Sequence, residues 1–187
     1  SGRDLRIRWY TYGPADLPRE TTGYSLDPRR VRIGKLLSPA VDPSRTHVVA
    51  DKELAGRAAI IKSAQRGLSI WPSERFTRAG DELVWVATTA RYFAFIVHPL
   101  IPGLDTPATP DKRLHEVEQV LGVVLGADAK NAALILQLNG PEVPVGAGES
   151  ITTSLGAYAG PLHDDELNSE PLFLSLSLSD IIVYNRG

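Results

Sequence analysis

Two runs of β-branched and aromatic residues, Glu82–Thr89 (ELVWVATT) and Arg91–His98 (RYFAFIVH), stand back to back in the middle of the chain. Such residues suit a pleated, packed surface, so both runs read as strands. Their apolar character is nearly continuous rather than alternating. A strand of that kind is covered on both of its faces. The fold must therefore place this pair centrally in a sheet, with further layers on either side.

The rest of the chain supplies candidate partners. Asp4–Tyr12 (DLRIRWYTY) alternates: Leu5, Ile7, Trp9 and Thr11 form one face, and Arg6, Arg8, Tyr10 and Tyr12 the other. Period two marks a strand with an apolar side and a basic-aromatic side. Val31–Leu37, Leu68–Trp71, Ala132–Leu138 and Ser150–Tyr158 read as further strands. Leu172–Tyr184 reads as the last, with Leu172, Leu174, Leu176 and Leu178 alternating against Phe173, Ser175, Ser177 and Ser179. That alternation predicts a leucine face in the core and a serine face outside it.

Two segments read as helices. Asp51–Arg66 has an N-capping aspartate, Leu54, Ala58, Ile61 and Ala64 at helical spacing, and Gly67 as its stop. In Thr109–Leu125, Thr109 is the expected cap and Pro110 sits at the first helical position. Leu114, Val117, Val120, Leu121 and Val124 would then form its buried stripe.

Helices and strands do not alternate regularly, which argues against a doubly wound parallel sheet. The expected class is α+β, with a mostly antiparallel sheet of about seven strands and two main helices. A β-sandwich or jelly roll with helices in its connections is the alternative. Residues 1–43 read as a basic N-terminal strand followed by a proline-rich arm, and residues 44–187 as a compact α+β domain.

Charge is divided along the chain. Residues 1–80 hold 15 Lys and Arg against 8 Asp and Glu, a balance of +7. Residues 81–187 hold 5 against 14, a balance of −9. An anionic partner for the first half, or copies packing positive face to negative face, would use such an asymmetry. Cysteine is absent, which excludes disulfides, thiol catalysis and Cys-based metal sites. No apolar run approaches the roughly 18–20 residues that span a bilayer, so a soluble location, such as within a virion or particle, is expected. Position 1 is serine, as expected of a chain processed at its N-terminus, cut from a longer product, or carrying a Ser1-Gly2 scar of expression.

Candidate contact residues follow from the basic segments. Arg3, Arg6 and Arg8 interleave with Tyr10 and Tyr12, and Arg29, Arg30 and Arg32 extend the stretch. Arginine neutralises phosphate and aromatic rings stack on bases, so these eight could meet nucleic acid or a protein partner. His98, at the end of an apolar run, reads as structural, and His115 as solvated. His163-Asp164-Asp165-Glu166 is an acid-histidine cluster, read as the first turn of a short surface helix. No Gly-x-Ser-x-Gly elbow surrounds any serine, and Gly146–Ser150 lacks the Gly-Lys-Ser/Thr ending of a phosphate loop. Leu172–Gly187 resembles a core segment of guanylate-binding-type large GTPases. The phosphate loop and the Asp-x-Glu-Gly of those domains are absent, and no function is carried over.

The expected function is a non-catalytic structural subunit of a larger assembly, most concretely a viral or phage-like particle protein. Its partners would be copies of itself or other assembly subunits, with no cofactor, metal or membrane. A nucleic-acid-binding module using the basic N-terminal segment is one alternative. A hydrolase built on His163, Asp164 or Asp165 is another.

Overall fold

The computed structural model describes residues 3–16, 29–51, 57–64, 68–102, 104, 110–126 and 132–182. Nine strands form two antiparallel sheets: β1 (Arg3–Thr11), β2 (Arg30–Leu36), β3 (Val48–Ala50), β4 (Leu68–Trp71), β5 (Glu82–Thr89), β6 (Phe93–His98), β7 (Gln119–Leu125), β8 (Ala133–Val145) and β9 (Gly156–Pro161). One sheet has four strands in the order β1-β8-β7-β4, and the other has five in the order β3-β2-β5-β6-β9. Three short α-helices, α1 (Arg57–Ala64), α2 (Asp164–Leu167) and α3 (Pro171–Ser175), and two 3-10 turns, Pro14–Asp16 and Leu178–Ile181, complete the described elements. The class is thus mostly antiparallel β with few helices.

The sheets pack face to face. Val31, Ile33, Leu83, Val86 and Val97 of the five-stranded sheet share one apolar cluster with Val120, Leu134, Leu136 and Leu138 of the other. Ile60 and Ile61 of α1 close this cluster along the β4–β7 side. The outer face of the five-stranded sheet carries a second cluster. There Trp85, Ala87, Ala94 and Ile96 meet Leu167, Leu176, Leu178 and Ile181. The central pair β5–β6 is therefore covered on both sides, as its continuous apolar runs require.

Trp85 ties the outer layer down. Its indole Nε1 donates to the Leu176 carbonyl at 3.0 Å. Its ring lies flat against Gly34, where a Cβ would come within 2.1 Å of it. His98 is buried, donates from Nδ1 to the Pro99 carbonyl at 2.9 Å, and meets Phe173 edge-on. Burial holds its pKa below the usual 6.5, against the opposing effects of Pro99 and Glu170.

Several expected elements are corrected. Gln119–Leu125 is a strand, not the end of a helix from Thr109. Val120 and Gly122 are buried while Gln119, Leu121 and Val123 are half-buried, a period of two imposed by pairing with β8 on one side and β4 on the other. The described part of the strand expected at Leu172–Tyr184 is not a strand: α3 is followed by Ser177 in the left-handed region (φ 52°) and a 3-10 turn, Leu178–Ile181, while 183–184 lie outside the described residues. Leu176 and Leu178 are buried there, but Leu174 is 55% exposed. β8 continues past Asn139-Gly140-Pro141, because its second half pairs with β1 alone, an edge position that tolerates Pro141 and Pro144. The strand expected at 150–158 lies instead at β9.

Residues 17–28 of the expected arm, the start of the first expected helix at 52–56 and its end at 65–66, and the Thr109 cap lie outside the described residues. In the described part of 1–43, β1 pairs along β8 and β2 lies between β3 and β5. Among the described residues no helix is long and apolar enough to cross a membrane.

Candidate functional site

β1 is the margin of the four-stranded sheet, and the alternation in its sequence becomes two distinct surfaces. Ile7, Trp9 and Thr11 are half-buried, with Trp9 packed on the inter-sheet cluster. Arg8 and Tyr10 are exposed on the outer face. They stand in register with Asn139 and Gln137 of β8, and those with Gln119 and Leu121 of β7. Gln137 donates to Asn139 Oδ1 at 2.7 Å, and Asn139 donates to Gln119 Oε1 at 2.8 Å. Asn139 is buried and Gln119 and Gln137 are half-buried, so this amide ladder ties β7 to β8 rather than opening to solvent.

The basic residues expected to act together are treated differently by the fold. Arg6 lies at a bulge in the β1–β8 register, with Nη2 3.4 Å from both Glu118 Oε2 and Glu142 Oε1. Arg3 and Arg8 are exposed and make no ion pair among the described residues. Tyr10 and Tyr12 are 57% and 60% exposed, and Leu5 is 46% exposed. Arg29 and Arg30 are half-buried at the start of β2. Arg32 is buried, which removes it from a solvent-facing basic stretch. It sits on a strand flanked by β3 and β5. Burial lowers its pKa, Asp51 and Asp180 oppose that shift, and Arg30 adds to it.

A groove runs beneath the inner face of β1. Ile7, Trp9, Pro141, Val143 and Ile151 line a cavity of about 300 Å³. Thr153, whose Oγ1 is buried without a hydrogen-bond partner, belongs to the same wall. Past His115 and Pro141 the groove continues into a second cavity of about 270 Å³, between Trp71, Glu82, Arg113 and Glu118. Its charges are mutually engaged. Arg113 holds Asp111 at 2.5 Å and Glu82 at 3.3 Å, Glu82 also meets Arg45, and His115 Nε2 lies 2.8 Å from Asp111. Hydrogen bonds from Arg113, then from His115, hold the Asp111 carboxyl far below the usual range against the effect of burial. Asp111 in turn raises Arg113.

The groove escaped sequence reasoning. It is assembled from 7–9, 71, 81–83, 113–118, 140–143 and 151–153, segments that no spacing connects. Only the alternation at Ile7 and Trp9 hinted at one of its walls. His163, Asp164 and Asp165 sit on and just before α2 and are exposed; His163 Nδ1 is 3.7 Å from Asp165 Oδ2. None of them lines the groove. Among the described residues no group of three or more His, Asp and Glu is arranged to hold a metal ion. No family model, curated protein or solved structure matches the chain.

Proposed function

We propose that this chain is a non-catalytic structural subunit that works by packing against other subunits, with a viral or phage-like particle as the setting. The observation that carries the reading is β1. It is a nine-residue strand at the open edge of its sheet among the described residues, with Leu5, Tyr10 and Tyr12 about half exposed and Arg3 and Arg8 without an ion pair. An edge strand presents unpaired backbone N–H and C=O groups, and exposed apolar side chains on such an edge mark a contact surface. Two packed antiparallel sheets are an architecture that particle shells also use, an analogy of fold alone. Light scattering across micromolar concentrations tests the reading. A mass that rises with concentration is expected; a monomer throughout would refute it.

A second reading is favoured by one observation: Arg8 and Tyr10 are exposed two residues apart on one strand, in register with Asn139 and Gln137 of β8. Cation and ring side by side suit a single-stranded nucleic acid. Against it, Arg6 is already engaged by two carboxylates. Affinity for a fluorescent oligonucleotide, lost on Arg8→Ala with Tyr10→Ala, would favour this reading over assembly.

A further inference from the structure

We propose that β1 is the docking edge for a second copy of this chain, and that the exposed carboxylates of α2 on that copy supply the counter-charges. The inference rests on the assembly reading and adds the partner surface to it. Three arginines against one aspartate, Asp4, disfavour pairing of β1 with another β1, since several registers set Arg3, Arg6 or Arg8 opposite one another. What suits this edge is a carboxylate-bearing surface. Arg6 displays that preference within the chain, held between Glu118 and Glu142.

Among the described residues α2 offers such a surface. Asp164, Asp165 and Glu166 are exposed and form no ion pair with Lys or Arg among the described residues; His163 lies 3.7 Å from Asp165, and Asn168 donates to Asp164 Oδ1 at 3.0 Å. They follow directly on β9, the outer strand of the five-stranded sheet. Asp165 has 91% of its side chain open to solvent. On β1 the open arginines Arg3 and Arg8 outnumber the one exposed carboxylate, Asp4, so the two surfaces hold opposite net open charge, each beside a strand whose outer edge is unpaired among the described residues. Contact between copies lets Arg3 and Arg8 of one meet Asp164, Asp165 and Glu166 of the next, while the strand edges and Tyr10 and Tyr12 supply backbone and apolar contact. Complementary charge of this kind selects the partner and excludes β1–β1 pairing.

Two charge-reversal variants test the contact: Arg3→Glu with Arg8→Glu, and Asp164→Lys with Asp165→Lys. Sedimentation velocity on each alone should show association weakened at least tenfold, since attraction becomes repulsion. An equimolar mixture of the two should restore it, because acidic β1 then meets basic α2 and basic β1 meets acidic α2. The milder changes Arg8→Gln and Asp165→Asn should weaken association in the same direction by less, with melting curves confirming that each variant is folded. A wild type that associates while both reversals leave it unchanged would overturn this contact and leave the assembly reading standing. Loss of association in both variants without rescue on mixing would also overturn it. An Arg3→Glu, Arg8→Glu variant that still associates but loses oligonucleotide binding would overturn it in favour of nucleic acid. A wild type that never associates would sink both.

Discussion

Lys35 and Asp81, on one side, and Arg8 and Asp165, on the other, carry the same charges in opposite circumstances. The first pair is buried inside one molecule: Lys35 Nζ lies 2.9 Å from Asp81 Oδ2 and also reaches the Phe76 carbonyl. Asp81 accepts from the backbone N–H of Ser38 and Arg78 as well, at 3.0 and 3.1 Å. Gly80, at φ 88°, makes the turn that delivers it. Every charge there is settled within the fold. Arg8 on β1 and Asp165 on α2 are exposed with nothing of opposite charge from Asp, Glu, Lys or Arg upon them among the described residues. Charges that are answered inside hold the fold, and charges left open are available to a partner.

The largest effect should come from the closed pair. Asp81→Ala strands a buried ammonium and two backbone N–H groups, and should cost about 3–5 kcal/mol in denaturant unfolding. Burial alone would raise the Asp81 pKa, but hydrogen bonds from Lys35, Arg78 and Ser38 outweigh it and leave the value below 3.8. A carboxylate lowered in the folded state stabilises above its unfolded pKa, and that stability is lost as pH falls through the folded value. The gap between wild type and Asp81→Asn should therefore narrow in acid, below about pH 4. A gap constant down to pH 2 would show that Asp81 is not ionised to advantage.

The outer layer gives the next contrast within a few residues. Leu176→Ala or Leu178→Ala should cost about 2–5 kcal/mol, through lost transfer energy and an unfilled cavity. Leu174→Ala, at a side chain 55% exposed, should cost about 0.5 kcal/mol or less. Equal losses at Leu174 and Leu176 in thermal unfolding would mean that Leu174 is covered by another molecule, which would itself mark a contact. Smallest of all, Arg8→Gln and Asp165→Asn should move the melting temperature of the monomer by no more than about 2 °C. A larger shift would place these charges on the closed side of the comparison.

The sequence disclosed elements whose pattern arises from one local cause. β5 and β6 were legible because burial on both faces leaves continuous apolar runs, and β1 because one face is wet. Gln119–Leu125 was not, because Leu114, Val117 and Val120 fall at helical spacing, yet Leu114 and Val117 are buried around a turn and Val120 in the strand. The demand of β8 and β4 for a partner decided that conformation, and no local signal reports such a demand. In Pro171–Ser175 the leucine-serine alternation outshone two helical signals: Pro171 at the first position, and Leu172 and Leu176 four apart. The basic face of β1 could be read from its spacing. The ion pairs of Arg6, the burial of Arg32 and the groove under Trp9 depend on segments distant in sequence.

Sedimentation velocity of the full chain, from about 50 mM to 500 mM salt, addresses the open charges directly, because the Debye length shrinks to several Å across that range. If Arg3 and Arg8 dock on the carboxylates of another copy, association is strongest at low salt and weakens steadily as salt is added. An association constant flat across the series would contradict that account, and a monomer at every salt concentration would contradict assembly altogether.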